Sequence, residues 1–83
     1  MQLLLMYRSL TYAQRCVKLL EREGIPASVA RAPKALSGRG CGYSAVINEK
    51  YGTRAAEILR RRELLPERVF RRGPDGSAEE ASL

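Results

Sequence analysis

Two stretches of helical spacing, set among short β-type runs, constrain this chain more than any other feature. In residues 10–23 the apolar positions Ala13, Cys16, Val17 and Leu20 recur at helical intervals, and Arg15, Lys18 and Arg22 point elsewhere. Ser9 or Thr11 offers an oxygen to cap its start, and Gly24 stands where a left-handed residue ends a helix. In residues 53–64, Thr53 is the candidate cap, and Ala55, Ile58, Leu59 and Arg62 share a face. Residues 3–7, 27–32, 43–48 and 67–71 have strand character, the second being a weak run behind Pro26 that suits a sheet edge. The order β-α-β-β-α-β predicts an α+β, ferredoxin-like βαββαβ sandwich: a four-stranded antiparallel sheet ordered 4-1-3-2 with two helices on one face.

A chain of 83 residues has room for one hydrophobic core, so residues 1–72 are expected to form a single domain. Residues 73–83 combine glycine, small residues and acid with little apolar surface, and are expected to be a disordered acidic tail. The apolar residues fall in short periodic runs, so nothing is expected to span a membrane. The opening Met1-Gln2-Leu3-Leu4-Leu5-Met6 lacks the basic leader and small-residue cleavage site of a secretion signal, which leaves a cytoplasmic address as the expectation. All fifteen Lys and Arg precede Gly73, as do only six of the nine carboxylates, so residues 1–72 carry +9. Such charge attracts nucleic acid, anionic membrane or acidic proteins without choosing among them.

The absence of histidine removes the commonest general base, the commonest transition-metal ligand and every Cys/His or Ser/His pair. Two thiols without Cys-x-x-Cys spacing do not make a metal or cluster site by themselves, so no metal and no cofactor is expected. Cys16 shares the apolar stripe of the first helix and is expected to pack in the core. Cys41 sits between glycines in the segment Ser37-Gly38-Arg39-Gly40-Cys41-Gly42, and both thiols are expected to be reduced.

In the predicted topology the loop between strands two and three lies at the same end of the sheet as the start of the first helix. Cys41 would then face Ser9 and Thr11, where the helix dipole and free N–H groups stabilise a thiolate. Arg39 adds positive charge, and Gly40 and Gly42 let backbone N–H groups turn toward the sulfur. The plainer alternative is a tight turn into a strand, with Cys41 a small half-buried residue. Spacing alone leaves both readings open.

The pattern Tyr7-x-Ser9, then Leu19-Leu20-x-x-x-Gly24-Ile25-Pro26, then Ala32-Pro33-Lys34-x-Leu36-Ser37, then Cys41-Gly42 before a strand resembles the putative Se/S carrier protein-like family over residues 2 to 71. One departure is that four residues separate Leu36 from Cys41, where the family commonly has three. The resemblance implies a carrier or accessory protein more than a stand-alone enzyme, with Cys41 as the thiol carrier and Ser9, Thr11, Ser37, Arg39, Gly40 and Gly42 in support. It would hold sulfur or selenium as a persulfide-type adduct and pass it between donor and acceptor proteins. Arg39, Arg60, Arg61 and Arg62 are candidates for docking such partners, although cations late in a helix also serve its dipole and solubility. Two rivals stand beside this reading. One is a nucleic-acid-binding sheet offering Tyr7, Tyr43 and Phe70, which the lack of a basic-aromatic segment argues against. The other is a regulatory or ligand-binding module with a structural Cys41, pairing as a homodimer through its second strand.

Overall fold

The computed structural model describes residues 1–32 and 42–83. Its elements in chain order are β1 (Gln2–Tyr7), α1 (Leu10–Arg22), β2 (Ala27–Arg31), β3 (Tyr43–Asn48), a 3-10 turn (Glu49–Tyr51), α2 (Gly52–Arg61), β4 (Arg68–Arg72) and β5 (Ala78–Ala81). The strands form one antiparallel sheet in the order β2-β3-β1-β4-β5. The first four strands stand in the expected order, but the sheet has five strands, which corrects the four-stranded expectation.

The extra strand comes from the segment expected to be disordered. Gly73-Pro74-Asp75-Gly76-Ser77 is a turn, closed by Gly73 N–H to Ser77 O at 2.9 Å, with the Asp75 carboxylate accepting from Ser77 N and Oγ. β5 then pairs with β4 in the register Phe70↔Glu80 and Arg71↔Glu79. Glu80 meets Arg68 through two hydrogen bonds of 3.1 and 3.2 Å, and Arg71 bridges Glu79 and Glu49. The acidic composition that argued against a packed segment is what lets it pair with a strand carrying three arginines.

β1 lies between β3 and β4 and is apolar without alternation because both faces of the sheet are covered there. Leu3, Leu5 and Tyr7 join Ala45, Ile47 and Val69 under both helices, packed by Ala13, Cys16, Val17 and Leu20 of α1 and Ala55, Ile58 and Leu59 of α2. Leu4 and Met6 join Val46, Phe70 and Ala32 in a separate cluster on the opposite face. Close approach of α2 to the sheet uses Gly52, where a Cβ would stand 3.1 Å from Leu3 Cδ1.

Both helices end in the same closure. In α1, Ile25 N–H reaches Leu20 O at 2.9 Å and Gly24 N–H reaches Glu21 O at 3.0 Å, with Gly24 at φ 82°. In α2, Leu64 N–H reaches Leu59 O at 2.9 Å and Glu63 N–H reaches Arg60 O at 3.2 Å, with Glu63 at φ 54°. The helix expected to run to residue 64 therefore stops at Arg61 on a non-glycine left-handed residue, a stop that carries no sequence signature. Its expected cap, Thr53, lies inside the helix; Asn48 caps the preceding 3-10 turn instead, accepting from Lys50 N at 3.0 Å.

Candidate functional site

The register places one end of the sheet as the candidate site. Tyr7 pairs with Tyr43 and Tyr43 with Arg31, so the end of β1, the end of β2 and the start of β3 are level. Ala32 N–H donates to Gly42 O at 3.1 Å and draws together the two ends of the 33–41 connection there. Two residues beyond Tyr7, Ser9 takes an extended conformation and its hydroxyl accepts from Tyr12 N at 3.3 Å, capping α1. The α1 N-terminus, with no acidic residue in its first turn, thus lies at the end of the sheet from which residues 33–41 depart. The free N–H groups of this turn carry the positive end of the helix dipole.

Of the sequence-predicted site residues, Ser9, Thr11 and Gly42 lie at this end. Ser9 acts as the cap and Thr11 is exposed on the first turn. Gly42 does not have a left-handed backbone, and no atom of the described residues lies within 4 Å of where a Cβ would stand. Ser37, Arg39, Gly40 and Cys41 lie outside the described residues. The second cysteine is not a competitor for surface chemistry. Cys16 is wholly buried under Tyr7, and burial pushes its thiol up to about 11 despite a hydrogen bond with the phenol.

Tyr7 is a structural residue of the site that sequence reasoning did not single out for this role. Its hydroxyl donates to Leu64 O at 2.7 Å, tying the end of β1 to the closing turn of α2. The phenol oxygen remains able to accept from Cys16, and burial, first, with the neighbouring thiol, raises its pKa far above the ordinary tyrosine range. Tyr7, Arg8, Tyr12, Glu63, Leu64, Leu65 and Glu67 line a cleft of about 170 Å³ beside the α1 N-terminus. An ion pair of 2.6 Å between Arg8 and Glu67 crosses its rim.

The aromatics that an RNA-binding sheet would present are not on one open face. Tyr7 is buried on the helix side and Phe70 on the other, beneath the Arg68 guanidinium at 4.9 Å. No group of three or more His, Cys, Asp or Glu that could hold a metal ion occurs among the described residues. No helix among them is long and apolar enough to cross a membrane.

Sheet order and helix placement together define a small α+β protein with two helices packed against one face of an antiparallel sheet. Within that class the chain belongs to the putative Se/S carrier protein-like family, whose family model matches residues 2–71. No curated protein and no solved structure matches the chain.

Proposed function

We propose that this protein carries sulfur or selenium on Cys41 between a donor and an acceptor protein, and that its first four strands and two helices act as a ferredoxin-like scaffold for that thiol. The observation that carries the reading is family membership over residues 2–71, which spans the whole Cys41 connection. It is supported by the anchoring of that connection, through Ala32 and Gly42, at the sheet end where α1 begins. Cys16 is enclosed in the core, so Cys41 is the thiol assigned to the transfer.

The chemistry is thiol exchange with no net oxidation. The Cys41 thiolate attacks the outer sulfur of a donor persulfide; a new S–S bond forms as the donor S–S bond breaks, and the electron pair leaves on the donor thiolate. An acceptor thiolate then takes the outer atom by the same step and regenerates the Cys41 thiolate. Selenium follows the same course with a selenosulfide bond. The positive helix end and Arg39 would favour the thiolate.

The test loads the protein with a cysteine desulfurase and free cysteine and reads the persulfide by intact mass. Loading is expected on the wild type and on Cys16→Ala, with none on Cys41→Ser, and alkylation of Cys41 is expected to titrate below the ordinary thiol range. A fully folded wild type that takes no persulfide and alkylates as an ordinary thiol would overturn the proposal and favour the reading in which Cys41 is structural.

A further inference from the structure

β5 is lightly held on the sheet. The side chains of Glu79 and Glu80 remain 74% and 57% exposed in their ion pairs with Arg71 and Arg68. Ion pairs so open to water contribute little. Ala81 and, two residues further on, Leu83 touch the helix-side core, and both are only partly buried. β4 beneath is anchored instead by Val69 and Phe70, one buried in the core of each face. An outer strand of this kind opens at lower cost than the strand it covers. The turn behind it need not open at the same time, because the bonds Gly73 N–H to Ser77 O, Gly76 N–H to Gly73 O and Ser77 to the Asp75 carboxylate all lie within residues 73–77. The family match ends at Arg71, so β5 lies wholly outside it, whereas all of β4 but its last residue lies within it.

The contacts of β5 define what the β4 edge accepts. Successive residues of a strand face opposite sides of a sheet. Glu79, opposite Arg71, meets that arginine on the helix side. Glu80, opposite Phe70, meets Arg68 on the other side, where the guanidinium also lies over the Phe70 ring. Ala81, opposite Val69, and then Leu83 return to the helix side and reach its core. A strand in this register presents two consecutive carboxylates, a small residue and, two positions later, an aliphatic one. In strand addition, main-chain bonds to an edge supply affinity and the places for alternate side chains supply specificity. Here Arg68, which holds Glu80 through two parallel bonds, and Arg71 select for an acidic strand.

We propose that the β4 edge is a strand-docking site for an extended segment of a partner protein with the pattern acid-acid-small-x-aliphatic, and that β5 is the chain's own occupant, released when the partner's strand takes its place. The β4 edge is independent of Cys41, so this docking goes beyond the carrier reading without resting on it. β5 competes from a tether, at an effective concentration on the order of millimolar, and so sets a threshold that weak acidic segments do not pass. A second copy is a poor occupant. Its β5 sits on its own β4 and would have to open the Gly73 to Ser77 turn to reach a neighbour, and its β4 has no carboxylate to offer Arg68 and Arg71. A nucleic acid brings phosphates to the arginines but no N–H and C=O groups in strand spacing.

The full chain bearing Cys41→Ser, which cannot carry sulfur, keeps the two proposals apart. Nitrogen-15 NMR would follow a synthetic peptide of sequence Ser-Ala-Glu-Glu-Ala-Ser-Leu, that of residues 77–83, added to this chain and to the same chain with Glu79→Lys and Glu80→Lys, which set lysines against Arg71 and Arg68. The peptide is expected to shift amides of residues 68–72 in the lysine variant, with an affinity at least about tenfold higher than for the chain whose β5 is intact. In that variant Arg68→Ser should weaken the peptide by about tenfold, and so should N-methylation at both of its glutamates, which removes strand bonds and keeps the charge. Val29→Ser, on the β2 edge, should change nothing. The milder Glu80→Gln should give an intermediate affinity. Glu79 and Glu80 are exposed, so these chains are expected to fold, and the amides of β1 and β3 report it. Equal affinity for the intact and lysine-bearing chains, shifts outside β4, equal binding of the N-methylated peptide, self-association of the variant in place of peptide binding, or no shift with peptide on the order of millimolar would overturn the proposal and leave β5 a permanent cover.

Discussion

Cys16 shows how one residue's surroundings decide its chemistry. The sequence placed it on an apolar helical stripe, and the structure places its thiol against Tyr7 in a dry core, where the neutral form is favoured. Its folded pKa of about 11 exceeds the ordinary thiol value of 9.0, so its contribution to stability is complete below pH 9 and is lost as pH rises through about 11. Tyr7, shifted the same way, steepens that loss. Urea unfolding followed from pH 8 to 11 should show stability falling with pH, and Cys16→Ala should reduce the slope by about one proton between pH 9 and 11. Ser9→Ala should cost about 1 kcal/mol through loss of the Tyr12 N–H acceptor, measured by the same method. Gly42→Ala should leave stability within about 0.5 kcal/mol, since its backbone is not left-handed and no described residue stands within 4 Å of the added Cβ. A large loss of persulfide loading in that stable variant would assign Gly42 to the chemistry of the Cys41 connection.

At the scale of elements, the helix ends and the fifth strand are where local sequence and structure part. Gly24 announces the end of α1 because glycine takes φ 82° without strain, whereas α2 ends on Glu63 at φ 54°. The stop is imposed by Leu64, whose carbonyl accepts from Tyr7, a residue 57 positions away, and no local pattern contains that bond. Glu63→Gly should relieve the strain and change stability by roughly 0 to +1 kcal/mol, with the smaller gains reflecting the extra freedom of glycine in the unfolded chain. β5 was not legible, and residues 73–83 were expected to be a disordered tail. Pro74-Asp75-Gly76 is turn chemistry, but a strand of sequence Ala78-Glu79-Glu80-Ala81 has almost no β character until β4 offers arginines across the register. Arg68 holds the Glu80 carboxyl below its usual range, so this part of the sheet loses support as pH falls through the carboxylate region. Ending the chain after Gly73 should cost about 1–2 kcal/mol and promote self-association through the bared β4 edge, read by urea midpoint and light scattering.

At the scale of the whole molecule, β1 carries two cores, one on each face of the sheet. Leu5 is enclosed beneath the helices and Leu4 on the opposite face, so Leu5→Ala and Leu4→Ala should each cost about 2–5 kcal/mol. Both variants should still unfold in one transition, because a single central strand belongs to both clusters. Much of this architecture was written locally. Helical spacing in residues 10–23 and 53–64, the unbroken apolar run of β1 and the turn signals between them determined the α+β class, two helices and the first four strands in their order. The same spacing put Cys16 in the core, and the Cys41-Gly42 pattern pointed to the family that the match over residues 2–71 shows. The tertiary structure decided what depends on partners distant in sequence: the fifth strand, drawn in by charge across β4; the end of α2, fixed by a hydroxyl on β1; and the cleft of Tyr12 and Leu65 at the sheet end. Periodicity records which face of an element is apolar, and that is enough to build layers. It does not record which long-range hydrogen bond or ion pair closes them, because those energies exist only after the layers have met.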